Sequence, residues 1–172
     1  IKTLDGKSFY KDEEGNYFRM YVFIDNATTY QKIENPMHFY SAAKAFGKFQ
    51  KNLADFPAES LYESIPNFHN TVSRFEDFKK AVEEDKMGRA KDVQKEIEFA
   101  FARAKDCGII VDAIASGEVP VRVTHNDTKL NNVMIDDATG EGLCVIDLDT
   151  VMPGSLLYDY GDSMRFGTNN SD

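Results

Sequence analysis

One stretch, Val121 to Asp149, constrains this chain more than any other. It begins with strand-like Val121-Arg122-Val123-Thr124 and passes into the loop His125-Asn126-Asp127-Thr128-Lys129-Leu130-Asn131-Asn132. A second strand, Val133-Met134-Ile135, leads to the turn Ala138-Thr139-Gly140-Glu141-Gly142. A third strand, Leu143 to Ile146, then delivers two acids, Asp147 and Asp149. Short β-branched runs bounded by Gly, Asn and Asp predict strands joined by tight connections. A hairpin of this kind returns Asp147 to the side of Asn132. A carboxylate next to an amide oxygen makes a hard-oxygen site of the type magnesium takes, completed by phosphate oxygens and water. Asp127 would stand nearby to accept a hydrogen bond from a hydroxyl nucleophile, and Lys129 could reach a transferring phosphate as a point charge. Metal, positioned base and charge neutralisation are the parts phosphoryl transfer needs.

Taken singly, these residues favour bland readings. Asp and Asn are common in turns, and a lone histidine is more often structural than catalytic. His125 is counted with the catalytic loop, in the role of a prop. Taken together, five residues at fixed offsets on a strand–loop–hairpin frame favour function.

The rest of the chain supplies a scaffold. Asp12-Glu13-Glu14-Gly15 is turn chemistry between Ser8–Lys11 and an alternating run, Asn16 to Ile24. That run places Phe18, Met20, Val22 and Ile24 on one face of a strand and Tyr17, Arg19, Tyr21 and Phe23 on the other. From Asn35-Pro36 the period becomes helical, through Phe39, Ala42, Ala43, Phe46, Phe49 and Leu53, with Pro57 as the stop. A shorter amphipathic segment follows Phe68-His69-Asn70-Thr71 through Phe75, Phe78 and Val82. A third helix is predicted over about 90–105 with Gly108 as its C-terminal stop, and a short one over Ile109–Ala115. Phe and Tyr at helical spacing are most simply core.

Composition narrows the partners. The 172 residues carry a formal net charge of −9, which argues against nucleic acid and anionic membrane surfaces. Apolar residues make up 42%, as in globular domains. Cys107 and Cys144 sit among apolar neighbours, and two reduced, buried thiols are expected rather than a disulfide. No apolar run approaches membrane-spanning length, and the cytoplasm is the expected compartment.

The loop resembles the catalytic loop of the protein-kinase-like superfamily. Val145-Ile146-Asp147-Leu148-Asp149-Thr150 and Asp159-Tyr160-Gly161-Asp162 are similar to the aminoglycoside phosphotransferase and choline kinase branch. Val123 to Asn132, Asp147 to Gly154 and, more weakly, Ile65 to Thr71 resemble the N-acetylhexosamine 1-kinase-like group within it. The resemblance implies an α+β, protein-kinase-like fold. Residues 1–30 would be the last part of the N-terminal lobe's sheet plus the hinge. Residues 31–172 would form a mainly helical catalytic lobe, with the catalytic loop at 125–132 and the metal segment at 145–150.

It also implies roles. Asp127 matches the base, and Asn132 and Asp147 match the magnesium ligands. Asp149 stands where protein kinases have glycine, as a second-metal or supporting acid. Asp159 matches an aspartate that supports the loop, and Asp25, Asn26, Ala27 and Thr28 match the hinge that meets the adenine of ATP. The implied activity is transfer of the ATP γ-phosphate to a hydroxyl of a small molecule, a sugar such as an N-acetylhexosamine first. Choline, ethanolamine, homoserine or an aminoglycoside are the other acceptors.

Departures sharpen this. Asn126 replaces the arginine of protein kinases, and no Ala-Pro-Glu segment follows Asp147, which disfavours a protein substrate. No Gly-rich phosphate loop and no strand lysine paired with a helix glutamate are present. With Ile1 in place of Met, the expectation is a piece of a longer kinase, with those parts upstream and the helices shaping a sugar pocket after Asp172. A metal-dependent phosphohydrolase would usually add histidine ligands or a two-metal carboxylate cluster. A sulfatase would need a modifiable Cys or Ser in a setting this chain lacks. A nucleotide-binding pseudokinase stands as the non-catalytic alternative, although base, lysine and metal positions are all intact.

Overall fold

In a computed structural model, residues 1–169 can be described; positions 170–172 of the predicted catalytic lobe lie outside them. The described chain is mixed α and β, with three small antiparallel sheets set among helices.

The N-terminal segment forms β1 (Tyr10–Lys11) and β2 (Tyr17–Phe18), paired through Tyr10↔Phe18 and Lys11↔Tyr17. Their turn is held by Asp12, whose carboxylate accepts from the backbone N–H of Asn16 at 2.8 Å, while Gly15 takes φ +92°. The predicted strand through Ile24 is not formed. Residues 19–24 have no ladder partner among the described residues, and Met20, Tyr21, Val22 and Phe23 are exposed. Two strands alone bury too little to propagate a ladder.

β3 (Ala27–Thr28) pairs antiparallel with β5 (Val133–Asp136), and β5 pairs with β6 (Gly142–Val145). Across this sheet lies α1 (Pro36–Asn52). Asn35 caps it by accepting from the Met37 N–H at 2.9 Å, and Pro36 starts it with φ already helical. The helix ends at Asn52, with Leu53 as its cap, so Pro57 is not the residue that stops it. Ala42 and Phe46 face inward, while Ala43 is exposed. They join Leu130, Val133 and Ile135 in the core, with Tyr30, Ile33, Ala45, Val145 and Phe166 packed around. Gly142 permits the close approach: a Cβ there would lie 2.9 Å from the Ala45 Cβ and from the Ser41 carbonyl.

Between α1 and the stretch that begins at Val121 come α2 (Thr71–Glu84), α3 (Gln94–Phe101) and α4 (Ile109–Ala115). Asn70 caps α2 through the Ser73 N–H at 3.0 Å. Phe75 and Phe78 meet Phe101 at ring distances of 5.6 and 5.8 Å. The single helix predicted over 90–105 is instead α3 flanked by 3-10 turns at Ala90–Val93 and Ala104–Asp106. Gly108 is no left-handed stop; its φ is −80° and it leads directly into α4.

β4 (Arg122–Thr124) pairs with β7 (Met152–Gly154), and α5 (Leu156–Gly167) closes the described chain. β7 and α5 had no counterpart in the expectations from sequence. Among the described residues, no helix is long and apolar enough to cross a membrane.

Candidate active site

The loop after β4 is held mainly from α5. Asp159 is 2% exposed, and its carboxylate accepts the backbone N–H groups of His125 (3.0 Å) and Asn126 (2.7 Å) and the Gln50 amide (2.9 Å). A buried carboxylate needs such partners to offset its desolvation. One turn on, Asp162 accepts the Thr128 N–H at 2.8 Å and pairs with Arg165 at 2.7 Å. Asn126 takes φ 68°, which turns the chain, and its side-chain amide donates to the Thr150 carbonyl at 2.8 Å. Thr150 returns a hydroxyl bond to the His125 carbonyl at 2.7 Å. Gly154 lets β7 approach: a Cβ there would lie 3.3 Å from the Asn126 Oδ1.

His125 is fully buried, with its ring edge-on to Phe46 and Phe49. Its Nδ1 accepts the Asp127 N–H at 3.3 Å. A backbone N–H can only donate, so the proton sits on Nε2, which donates to the Ile146 carbonyl at 2.9 Å. Both nitrogens are therefore engaged, and the ring ties the loop to the residue before Asp147. That geometry makes it a prop with no nitrogen left for substrate.

Asp127 is partly exposed beyond that prop. Lys129 Nζ lies 2.9 Å from its Oδ2. The Asn132 amide donates to the Asp127 carbonyl at 2.8 Å and to Oδ2 at 3.1 Å. Asp127 Oδ1 has no partner among the described residues and remains an open acceptor. Asn132, 4% exposed, has both amide protons on Asp127, leaving its Oδ1 as the remaining donor atom for a cation.

The β5–β6 hairpin brings Asp147 alongside. Val133 pairs with Val145, and the Ile146 N–H donates to the Asn132 carbonyl at 2.9 Å. Asp147 then takes φ 59° and leaves the ladder with its carboxylate exposed and unpaired among the described residues. A left-handed non-glycine residue costs of the order of 1–3 kcal/mol and concentrates at functional positions. Asn132 Oδ1 and Asp147 fit magnesium as a two-ligand site that phosphate oxygens and water would complete. Among the described residues, no group of three His, Cys, Asp or Glu is placed to hold a metal by itself.

Asp147 lines an apolar cleft of about 640 Å³; Asp127 is not part of its lining. Tyr21 to Ile24 line it, together with Met134, Cys144 and Ile146. An apolar slot of this kind suits a planar base. Asp25–Thr28 do not line it. The Asn26 carbonyl accepts the Asp137 N–H at 3.0 Å, and Ala27 and Thr28 are committed to the pairing with β5. The structure thus places the expected hinge residues one step past the cleft and Tyr21–Ile24 against it. Asp149 lines the same cleft as Asp147, but its carboxylate is ion-paired with Arg19, which holds the guanidinium pKa above its ordinary value.

Sequence reasoning missed Arg19, Gln50 and the Asp162–Thr128 bond. Each acts across more than 30 residues of chain, and only the alternation around Arg19 gave any local signal. His69 bonds through Nε2 to the Asn126 carbonyl at 3.0 Å and stacks on Tyr158, whose hydroxyl pKa burial pushes up. A second cleft of about 340 Å³ opens there, and Asp127 is not part of its lining.

Against this geometry stands one comparison. The family model described as APH, Phosphotransferase enzyme family, matches residues 5–172.

Proposed function

Because the chain belongs to the APH phosphotransferase enzyme family, we propose that it transfers the γ-phosphate of ATP to a hydroxyl of a small molecule, a sugar such as an N-acetylhexosamine first among the candidates. The observation that carries this reading is the Asp127 carboxylate. One oxygen is fixed by Lys129 and Asn132, the other has no partner among the described residues, and the Asn132 that holds it is tied through its carbonyl to Ile146, the residue before Asp147.

Asp127 Oδ1 accepts the hydrogen bond of the incoming hydroxyl and orients its oxygen toward the γ-phosphorus. The bond from that oxygen to phosphorus forms as the bridge to the β-phosphate breaks, and ADP leaves. The hydroxyl proton moves late to Asp127, so orientation matters more than basicity. Asn132 fixes the carboxylate plane, and Lys129 offsets charge on the moving phosphoryl group. Magnesium, held by Asn132 Oδ1 and Asp147, would neutralise the phosphate oxygens. The apolar cleft excludes water from the base end of the nucleotide.

The choice of a sugar rests on the likeness of Val123–Asn132 and Asp147–Gly154 to the N-acetylhexosamine 1-kinase-like group. The test is an acceptor panel with labelled ATP and magnesium: N-acetylhexosamines, choline, ethanolamine, homoserine and an aminoglycoside. Label on the anomeric hydroxyl of an N-acetylhexosamine supports the reading. Label on an amino alcohol reassigns the acceptor, and ATP binding without transfer to any acceptor favours the pseudokinase.

A further inference from the structure

Asn126, the residue before the proposed base, is engaged at each of its polar groups. Its N–H donates to Asp159 at 2.7 Å. Its side-chain amide donates to the Thr150 carbonyl at 2.8 Å and the Thr124 carbonyl at 3.3 Å, and its Oδ1 accepts the Thr124 hydroxyl at 2.9 Å. Those partners lie on β4, on α5 and just before β7. The partner of its carbonyl comes from a different segment: His69 Nε2, at 3.0 Å, in the connection that leads into α2.

That carbonyl belongs to the peptide that joins Asn126 to Asp127. The N–H of the same peptide donates to His125 Nδ1 at 3.3 Å. A peptide unit is planar, so holding its oxygen from one side and its nitrogen from the other fixes its rotation, and with it the direction in which Asp127 leaves the backbone. A carbonyl oxygen only accepts, so the His69 ring carries its proton on Nε2, the same tautomer as His125. Asn126 stands at φ 68°, and a left-handed residue persists only where its surroundings over-determine it. His69 is itself held. Its ring stacks on Tyr158 at 4.9 Å, Phe68 meets it edge-on at 4.7 Å, and the next residue, Asn70, caps α2.

We propose that His69 is a positioning residue for Asp127: together with His125 it clamps the Asn126–Asp127 peptide and so aims the Asp127 carboxylate at the acceptor hydroxyl. This rests on the kinase reading above. His69 acts through Asn126 and has no part in the nucleotide cleft.

The experiment compares wild type, His69→Gln and His69→Phe in the intact protein, with labelled ATP, magnesium chloride and the acceptor panel above. Glutamine offers an amide N–H close to the place of Nε2 but loses the ring. Phenylalanine keeps a ring against Tyr158 but loses the donor. His69→Phe should lower kcat roughly tenfold to a hundredfold, the scale of a misplacement of about 1 Å, and leave KM for ATP unchanged. His69→Gln should recover most of that loss. The reverse order, with His69→Phe active and His69→Gln impaired, makes His69 a packing residue and overturns the proposal. Nitrogen-15 spectra at neutral pH should show the wild-type His69 ring as the Nε2–H tautomer, a readout that needs no variant to fold. The Asp127 amide should exchange with solvent faster in His69→Phe than in wild type. A ring protonated on Nδ1 alone, or unchanged exchange, overturns the clamp and leaves the kinase reading intact. Wild-type protein that transfers phosphate to no member of the panel overturns the kinase reading, and the spectra then decide the clamp by themselves.

Discussion

Asn132 donates to Asp127 twice, to its carbonyl at 2.8 Å and to its Oδ2 at 3.1 Å. The residue proposed to bind the metal therefore also fixes the proposed base. Asp127→Asn keeps the size of the side chain but removes its charge and pits one amide against another. Turnover should fall by about 10²–10⁴, the range of a positioned general base. Nucleotide affinity should hold within a few-fold. Steady-state kinetics alongside equilibrium binding check this, and undiminished turnover would remove Asp127 from the role.

Asp147 should separate metal from base in the opposite sense. Its carboxylate has no protein partner among the described residues, so Asp147→Asn disturbs no visible bond. Magnesium-dependent ATP binding should drop while adenosine binding stays. A titration of ATP against magnesium at fixed protein reads the difference. An unchanged magnesium dependence would place the metal elsewhere.

Asp159 is predicted to be a stability residue whose loss also stops catalysis. Asp159→Ala leaves the buried N–H groups of His125 and Asn126 without acceptors, each costing about 1–3 kcal/mol. Urea unfolding should show a midpoint shift without a change in slope. Gln50→Ala removes only the amide donor and should cost much less, which distinguishes the loop support from simple packing.

The strand–loop–hairpin frame of Val121–Asp149 was legible because its information is local. Gly140 at φ +70° and the β-branched runs around it mark the β5–β6 hairpin, while the register shift between Met134 and Ile135 was not readable from them. The start of α1 at Asn35-Pro36 was legible for the same reason, while Ala43, counted on its stripe, is exposed and Pro57 is not its stop. What local pattern could not show was pairing across long separations. β7 contains Pro153 and Gly154, poor strand formers, and exists because β4 lies beside it. Gln50 reaches Asp159 over 109 residues, and Arg19 reaches Asp149 over 130. The alternation at 16–24 failed differently. Its period was strand-like, but without neighbours to pair with, only Tyr17 and Phe18 form a ladder.

The β5–β6 turn carries its own pH signature. The Thr139 N–H and hydroxyl, at 2.7 and 2.9 Å, hold the Asp136 carboxyl below its ordinary 3.8. A depressed folded pKa contributes stability that is present above the unfolded value and lost as pH falls through the folded one. Thermal melts across the acid range should therefore show Thr139→Ala losing less stability than wild type as pH drops below about 4. Carbon-13 titration of the Asp136 carboxyl reads the same shift directly. A midpoint at or above 3.8 would contradict it.

Cys144 offers a probe of the cleft that needs no turnover. Its thiol is partly exposed, donates weakly to the Val145 carbonyl at 3.2 Å, and lines the cleft beside Met134 and Ile146. Cys107 is also partly exposed, but it follows the turn Ala104–Asp106 and lines no part of that cleft. Alkylation depends on access as much as on thiolate fraction, so a base seated in the cleft should slow Cys144 and leave Cys107 unaffected. Mass spectrometry of iodoacetamide-treated protein, with and without ATP or adenosine, gives both rates in one sample. Protection by adenosine alone would place the base against Cys144 independently of phosphate and metal. Equal slowing of both thiols would mean general tightening of the chain, and an unprotected Cys144 would put the nucleotide outside the cleft between Tyr21–Ile24 and the β5–β6 hairpin.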